Sequence, residues 1–188
     1  MHPPLTSELV EFLHGLRPET LPEEVLDRAR YFLLDYLAVA IRGSREESAR
    51  AVQRAVMSMT QGAGASGGAT ILGTDMRTLP GYAALANGAA SHGIEQDDTH
   101  GGGSIHLGTT MYSVALALAE TQPAIPAGEF LAAVVAGFEA AARIAMAAQS
   151  QELYALGFHP TQACGVFGAA VTASFAAGVI AWRTTVKE

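Results

Sequence analysis

Cysteine is nearly absent: Cys164 stands alone in 188 residues, which rules out an intrachain disulfide framework. Basic residues are also scarce, eleven against eighteen acidic ones, for a formal net charge of -7. That balance leaves no basic tract to follow a phosphate backbone, so nucleic acid is not an expected partner. A small anionic substrate stays open, because a few placed donors inside a pocket outweigh the net charge outside it. The N-terminus carries Glu8 and Glu11 where a secretory leader would have basic residues and then a long apolar run, so the expected compartment is the cytoplasm. Charged residues make up only 15% and aromatics 7% of a chain that is 49% hydrophobic. Its apolar content therefore rests on small side chains, Ala above all, with 20 Gly beside them, and this implies closely packed helices. The length suits one domain with one main core.

One stretch, 163–182, lacks charge for twenty positions and so meets the length criterion for a membrane span. It is rich in Ala, Gly, Ser and Thr, has no aromatic girdle on both sides and no basic flank before it, so a buried central helix is expected and no membrane partner.

The remaining signals are helical. Val25, Leu26, Ala29, Phe32, Leu33, Tyr36, Leu37 and Ala40 recur at three and four spacing and lay an apolar stripe on a helix over 21–41. Thr20, with Pro22 and Glu23 after it, reads as its cap, and Gly43 as a left-handed end. Ser44 and Glu47 repeat the capping box for a second helix through Met59. Asp35 interrupts the stripe and must face solvent or find a donor; it reads as structural. The Gly, Ala and Ser of 61–68 form a loop, and 69–78 holds the one strand signal, a short hairpin. Helical patterns resume over 79–94, 109–120, 129–148 and 162–177. The expected fold is all-α over 1–178, with a finishing tail at 179–188.

Two segments concentrate groups capable of proton transfer. The first runs Glu95-Gln96-Asp97-Asp98-Thr99-His100-Gly101-Gly102-Gly103-Ser104-Ile105-His106, between two apolar helices. Neighbouring carboxylates raise one another's pKa and imidazoles titrate near neutrality, so the loop holds material for both an acid and a base. The glycines make it mobile or let backbone amides approach a ligand. The plain alternative is that Asp98 and Thr99 cap turns while the glycines merely connect. The spacing matches no metal motif, and no metal is expected. The second segment places His159 before Pro160, a good first-turn residue, so the imidazole stands at a helix N-terminus, where anions are attracted. A histidine there also serves as a cap or a packing residue. Cys164 reads as inert packing.

Beyond these local readings, several motifs fall in one order. The run Ala86-Asn87-Gly88-Ala89-Ala90-Ser91-His92-Gly93, then Asp97-Asp98-Thr99-His100, the segments 115–120 and 132–144, and Gly157-Phe158-His159-Pro160-Thr161 with 164–170 together resemble the N-terminal domain of MmgE/PrpD proteins. The resemblance implies a helical first domain, a homodimer and an active site completed by a smaller α+β domain. It also implies cofactor-free chemistry on small di- or tricarboxylates: dehydration of 2-methylcitrate, decarboxylation of cis-aconitate, or epimerisation of a related iminodiacid. Carried over by position, His106 and His159 match the catalytic histidines and Thr99 the active-site threonine. Glu95 stands where members usually have a substrate-lining Asp, and His100 and Ser104 are placed to help orient the substrate.

The chain departs from the pattern in reading Glu95-Gln96 for the usual Asp and aromatic, and Leu107 where Pro commonly follows the histidine. Members also usually run more than twice as far, and their second domain, with a catalytic lysine, is not in this sequence. Three expectations follow: a piece of a longer enzyme, a subunit completed by a separate chain, or a non-catalytic helical dimerisation module.

Overall fold

A computed structural model describes residues 4–61, 63, 66–122 and 125–177. The proposed tail, 179–188, and part of the 61–68 loop lie outside these residues. The elements in chain order are α1 (Leu5–Gly15), α2 (Glu23–Gly43), α3 (Glu47–Thr60), β1 (Ala69–Thr70), β2 (Arg77–Thr78), α4 (Pro80–His92), α5 (Gly108–Ala119), α6 (Ala127–Ala148), α7 (Ser150–Ala155) and α8 (Pro160–Ala176). The domain is mainly helical. Its two strands form one antiparallel hairpin, with Ala69 opposite Thr78 and Thr70 opposite Arg77.

The core gathers around α5 and α6. Met111, Tyr112 and Ala115 on α5 pack with Val134, Ala141 and Ala145 on α6, and Tyr36 and Ala40 of α2 close over them. The two buried phenols are satisfied: Tyr36 and Ser113 share a hydrogen bond of 2.7 Å, and the Tyr112 hydroxyl donates to the Ala29 carbonyl at 2.5 Å. Small residues let α6 meet α8. A Cβ on Gly168 would lie 2.6 Å from the Gly137 carbonyl oxygen, and one on Gly137 would lie 2.0 Å from Thr172 Oγ1. The backbones themselves are in contact there, as an Ala- and Gly-rich composition requires.

Helix ends differ from the sequence expectation. Thr20 does not cap α2; its hydroxyl accepts from the Arg17 N–H and donates to the Gly15 carbonyl, tying the α1–α2 turn instead. Ser44 does not cap α3, because its hydroxyl donates back to the Ile41 carbonyl at 2.8 Å. Gly43 is not left-handed. It ends α2 with helical geometry, and glycine is needed because an added Cβ would sit 1.9 Å from the Ala90 carbonyl oxygen of α4. Asp35 is exposed, resolving its interruption of the stripe.

The described part of the uncharged stretch lies on α8, but it is not a buried central helix, since Val166 and Phe167 remain 60% and 52% exposed. Among the described residues, the one helix long and apolar enough to cross a membrane is α6, and 67% of its most apolar window is buried in the fold, the setting of a core helix. Helices α1 and α7 were not expected. The first is short and bound by Leu13 to α6, and the second spans a single turn and a half.

Candidate active site

The segment between α4 and α5 is held by its own hydrogen bonds. His92 is the last residue of α4, and the chain turns through Glu95, which takes a positive φ of 54°. Asp98 then reaches the start of α5, where its carboxylate accepts from the Gly108 N–H at 2.7 Å and the Leu107 N–H at 3.3 Å. A Cβ at position 108 would lie 2.4 Å from Asp98 Oδ1, so any larger residue there displaces the carboxylate. Burial raises the Asp98 pKa above the ordinary carboxylate value, with those two N–H groups opposing the rise. Beyond it, His100 and Ile105 pair in an antiparallel bridge that closes the glycine turn, and Ile105 is buried. The Gly103 N–H donates to His100 Nδ1 at 3.0 Å, so this amide is spent inside the loop and not offered to a ligand.

This framework brings three histidines together. His92 Nδ1 lies 3.0 Å from Asp97 Oδ2, and His106 Nδ1 lies 3.4 Å from Asp97 Oδ1. The His92 and His106 ring centroids are 4.8 Å apart, and those of His92 and His159 6.3 Å. Thr99 Oγ1 stands 3.5 Å from His106 Nδ1. His159 is the residue before α8, with Pro160 in the first turn as the sequence suggests, and its ring meets the edge of Tyr154 at 5.7 Å. A backbone tie holds the two segments in register, since the His106 N–H donates to Thr161 Oγ1 at 3.1 Å. Asp97 is buried, and its hydrogen bond raises the His92 pKa, so that this imidazole keeps its proton to higher pH than a free one. Two polar atoms at the cluster, Asp97 Oδ1 and His159 Nδ1, are buried without a hydrogen-bond partner.

Of the six residues expected from the sequence, the structure gathers His106, His159 and Thr99 around His92. Glu95 is exposed and lines a groove of about 720 Å³ beside His92, with Leu85, Val114, Thr161 and Val166. Ser104 faces a different recess, of about 540 Å³, shared with Met146, Gln149 and Tyr154. His100 is occupied by the glycine turn. His92 and Asp97 join the cluster although no local pattern singles them out as site residues. Their only signal is a histidine closing an apolar helix and an acid five residues on, but the fold-back that sets both against His106 is tertiary.

The helical architecture agrees with what the family comparison shows: the chain belongs to the MmgE/PrpD family, matching the family's N-terminal domain over residues 7–184. Among curated relatives, it is 29% identical over 176 residues to the cis-aconitate decarboxylase-like protein oryM of Aspergillus oryzae, covering 90% of this chain and 36% of that protein. It is also 29% identical to the cis-aconitate decarboxylases of Aspergillus terreus, over 88% of this chain and 33% of that one, and of Mus musculus, over 90% and 35%. The chain thus spans about a third of the length of these relatives.

Proposed function

We propose that this domain supplies the histidine half of a lyase site that acts on a small di- or tricarboxylate such as cis-aconitate or 2-methylcitrate, with His106 and His159 as the acid–base pair. The observation that carries this reading is the meeting of His106 and His159 about His92, each fixed by a different element and none of them capping a helix through its side chain. Three relatives bearing the name or likeness of cis-aconitate decarboxylase support the reaction class.

The chemistry asks for such an arrangement. In decarboxylation the C–C bond to the departing carboxylate breaks, its electron pair stays on the substrate carbon, and an imidazolium delivers a proton there. Dehydration reverses the demand: a neutral imidazole takes a proton from the carbon beside a carboxylate, and a second, protonated one gives its proton to the leaving hydroxide. A pair of imidazoles that exchange roles serves both, and would serve epimerisation of an iminodiacid by the same proton transfers. Asp97 faces His106 through Nδ1, which leaves Nε2 as the exchanging nitrogen. Protonated His92 and the Thr99 hydroxyl are the groups suited to a substrate carboxylate.

A second reading rests on the apolar groove beside His92. Its lining of Leu85, Val114 and Val166 suits contact with further protein, as a dimerisation module or an incomplete site would need. Proton NMR in deuterated buffer separates the two. Titrating cis-aconitate or 2-methylcitrate into the chain should shift the His106 and His159 ring signals, and any turnover should place deuterium at the reacting carbon. Unmoved histidine signals and no deuterium at carbon, from a chain with unchanged circular dichroism, would overturn the lyase reading.

A further inference from the structure

We infer that the groove beside His92 receives an alkyl tail of the substrate, so that the acid handled at this site carries an apolar chain longer than a methyl group. The inference rests on the lyase reading above and narrows its substrate class. The groove, of about 720 Å³, is bounded by α4, α5 and α8, and Ala84, Leu85, Ala89, Val114 and Val166 give it apolar walls. Along α4, Gly81, Leu85, Gly88 and His92 recur at spacings of three and four, so one row of the helix runs through the groove to the imidazole. That row spans about 16 Å at 1.5 Å per residue, room for an extended hexyl chain.

The two ends of the groove ask for different chemistry. Along its length, bordering hydroxyls are already spent inside the protein. Thr109 donates to the Gly88 carbonyl and shares a hydrogen bond with Ser91, Ser113 donates to the Thr109 carbonyl, and Thr161 Oγ1 accepts from the His106 N–H. These groups hold no free donor for a polar substituent, and the walls favour methylenes over water. At the His92 end the demand is for an anion. His92 commits Nδ1 to the buried Asp97, a bond that favours the protonated ring. Its Nε2 points to no close acceptor: the carboxylate of Glu95, 77% exposed, stands 3.9 Å away, beyond hydrogen-bond reach. A substrate carboxylate arriving at Nε2 therefore gains a charge-assisted donor without breaking a bond. The rings of His106 and His159 lie 4.8 and 6.3 Å from that of His92, so a headgroup held there sits beside the proposed acid–base pair while its tail follows α4. A polycarboxylate without a chain would use the polar end alone and leave the apolar walls wet.

Methyl-, butyl- and hexylsuccinate carry two carboxylates and nothing to eliminate, so titrating the chain with each reads binding without turnover. Affinity should rise about two- to fourfold per added methylene, the range from half to full burial of each group. Val166→Asn, at a position 60% exposed, should cut the hexyl-to-methyl affinity ratio at least about fivefold. Tyr31→Asn, on α2 and outside the groove, should leave that ratio unchanged. In the wild-type chain, with no substitution, the hexyl protons should give nuclear Overhauser contacts to the methyl groups of Leu85, Val114 and Val166. A flat series, a ratio untouched by Val166→Asn, or contacts to another face would each overturn the tail site. So would light scattering that shows a second copy forming a dimer which excludes hexylsuccinate. Histidine shifts with cis-aconitate but no gain along the series would sink the tail site alone, whereas a gain without histidine shifts would support the groove and sink the lyase reading.

Discussion

Gly43→Ala tests whether the contact between α2 and α4 is as close as described. The new Cβ would stand 1.9 Å from the Ala90 carbonyl oxygen and 3.0 Å from its carbon. Relief to ordinary contact, about 3.4 Å, requires a displacement of about 1.5 Å between two helix backbones, which no rotamer change provides. Overpacking of this kind costs about 1–3 kcal/mol, and a backbone obstacle belongs at the upper end. Alanine returns up to about 1 kcal/mol of helix propensity. The expected net loss is about 2 kcal/mol, or a fall of about 4–8 °C in Tm for a chain of this size. Ala90 lies two residues before His92, so the last turn of α4 moves with it and the 3.0 Å contact of His92 with Asp97 opens. Urea denaturation and the His92 ring signals in NMR read the two effects. Gly81→Ala is the control, since a Cβ there meets nothing within 4 Å. If Gly43→Ala melts at or above the wild-type temperature with His92 unmoved, the close approach of α2 and α4 is refuted.

Other substitutions and titrations probe separate features. Asp98→Ala removes the acceptor for two N–H groups at the start of α5 and should cost about 1–2 kcal/mol in urea denaturation; an unchanged midpoint would deny the carboxylate its capping role. Burial pushes the Tyr36 and Tyr112 phenols well above the ordinary tyrosine value. Their raised folded-state pKa contributes stability that is complete below the unfolded value near 10 and lost as pH rises beyond it. Ultraviolet titration of the five tyrosines should therefore show two that ionise only with alkaline unfolding. Burial likewise raises the Cys164 thiol, so a disulfide reagent at neutral pH should label the native chain at least about 10-fold more slowly than the chain in urea.

Long periodic segments were legible from residues alone. The stripe through Val25, Phe32 and Tyr36 is a helix, and the hairpin at 69–78 is where turn residues placed it. Ends were less legible, because Thr20 and Ser44 each have local carbonyls that compete for the hydroxyl, and only the packed chain decides between them. Gly43 shows the same limit: a glycine after a helical run suits either a left-handed turn or a close crossing, and the second is set by a residue of α4. At the site, His106 and His159 stood out by motif, and the structure sets both beside His92. Asp97 did not stand out, because its burial comes from the loop folding back and not from any local pattern.

The hydrogen bond from the His106 N–H to Thr161 Oγ1 joins residues 55 positions apart, whereas His92, Asp97 and His106 lie within one loop and its flanks. The two halves of the cluster therefore carry different chain-closure costs. The loop half needs only a short closure, which is entropically cheap, while His159 arrives when α8 docks on α5 and α6. Any partial opening that releases α8 separates His159 from His106 and breaks the His106–Thr161 hydrogen bond. The proposed acid–base pair would then exist only in the fully closed chain, and native-state hydrogen exchange in α8 measures how often that closure is lost.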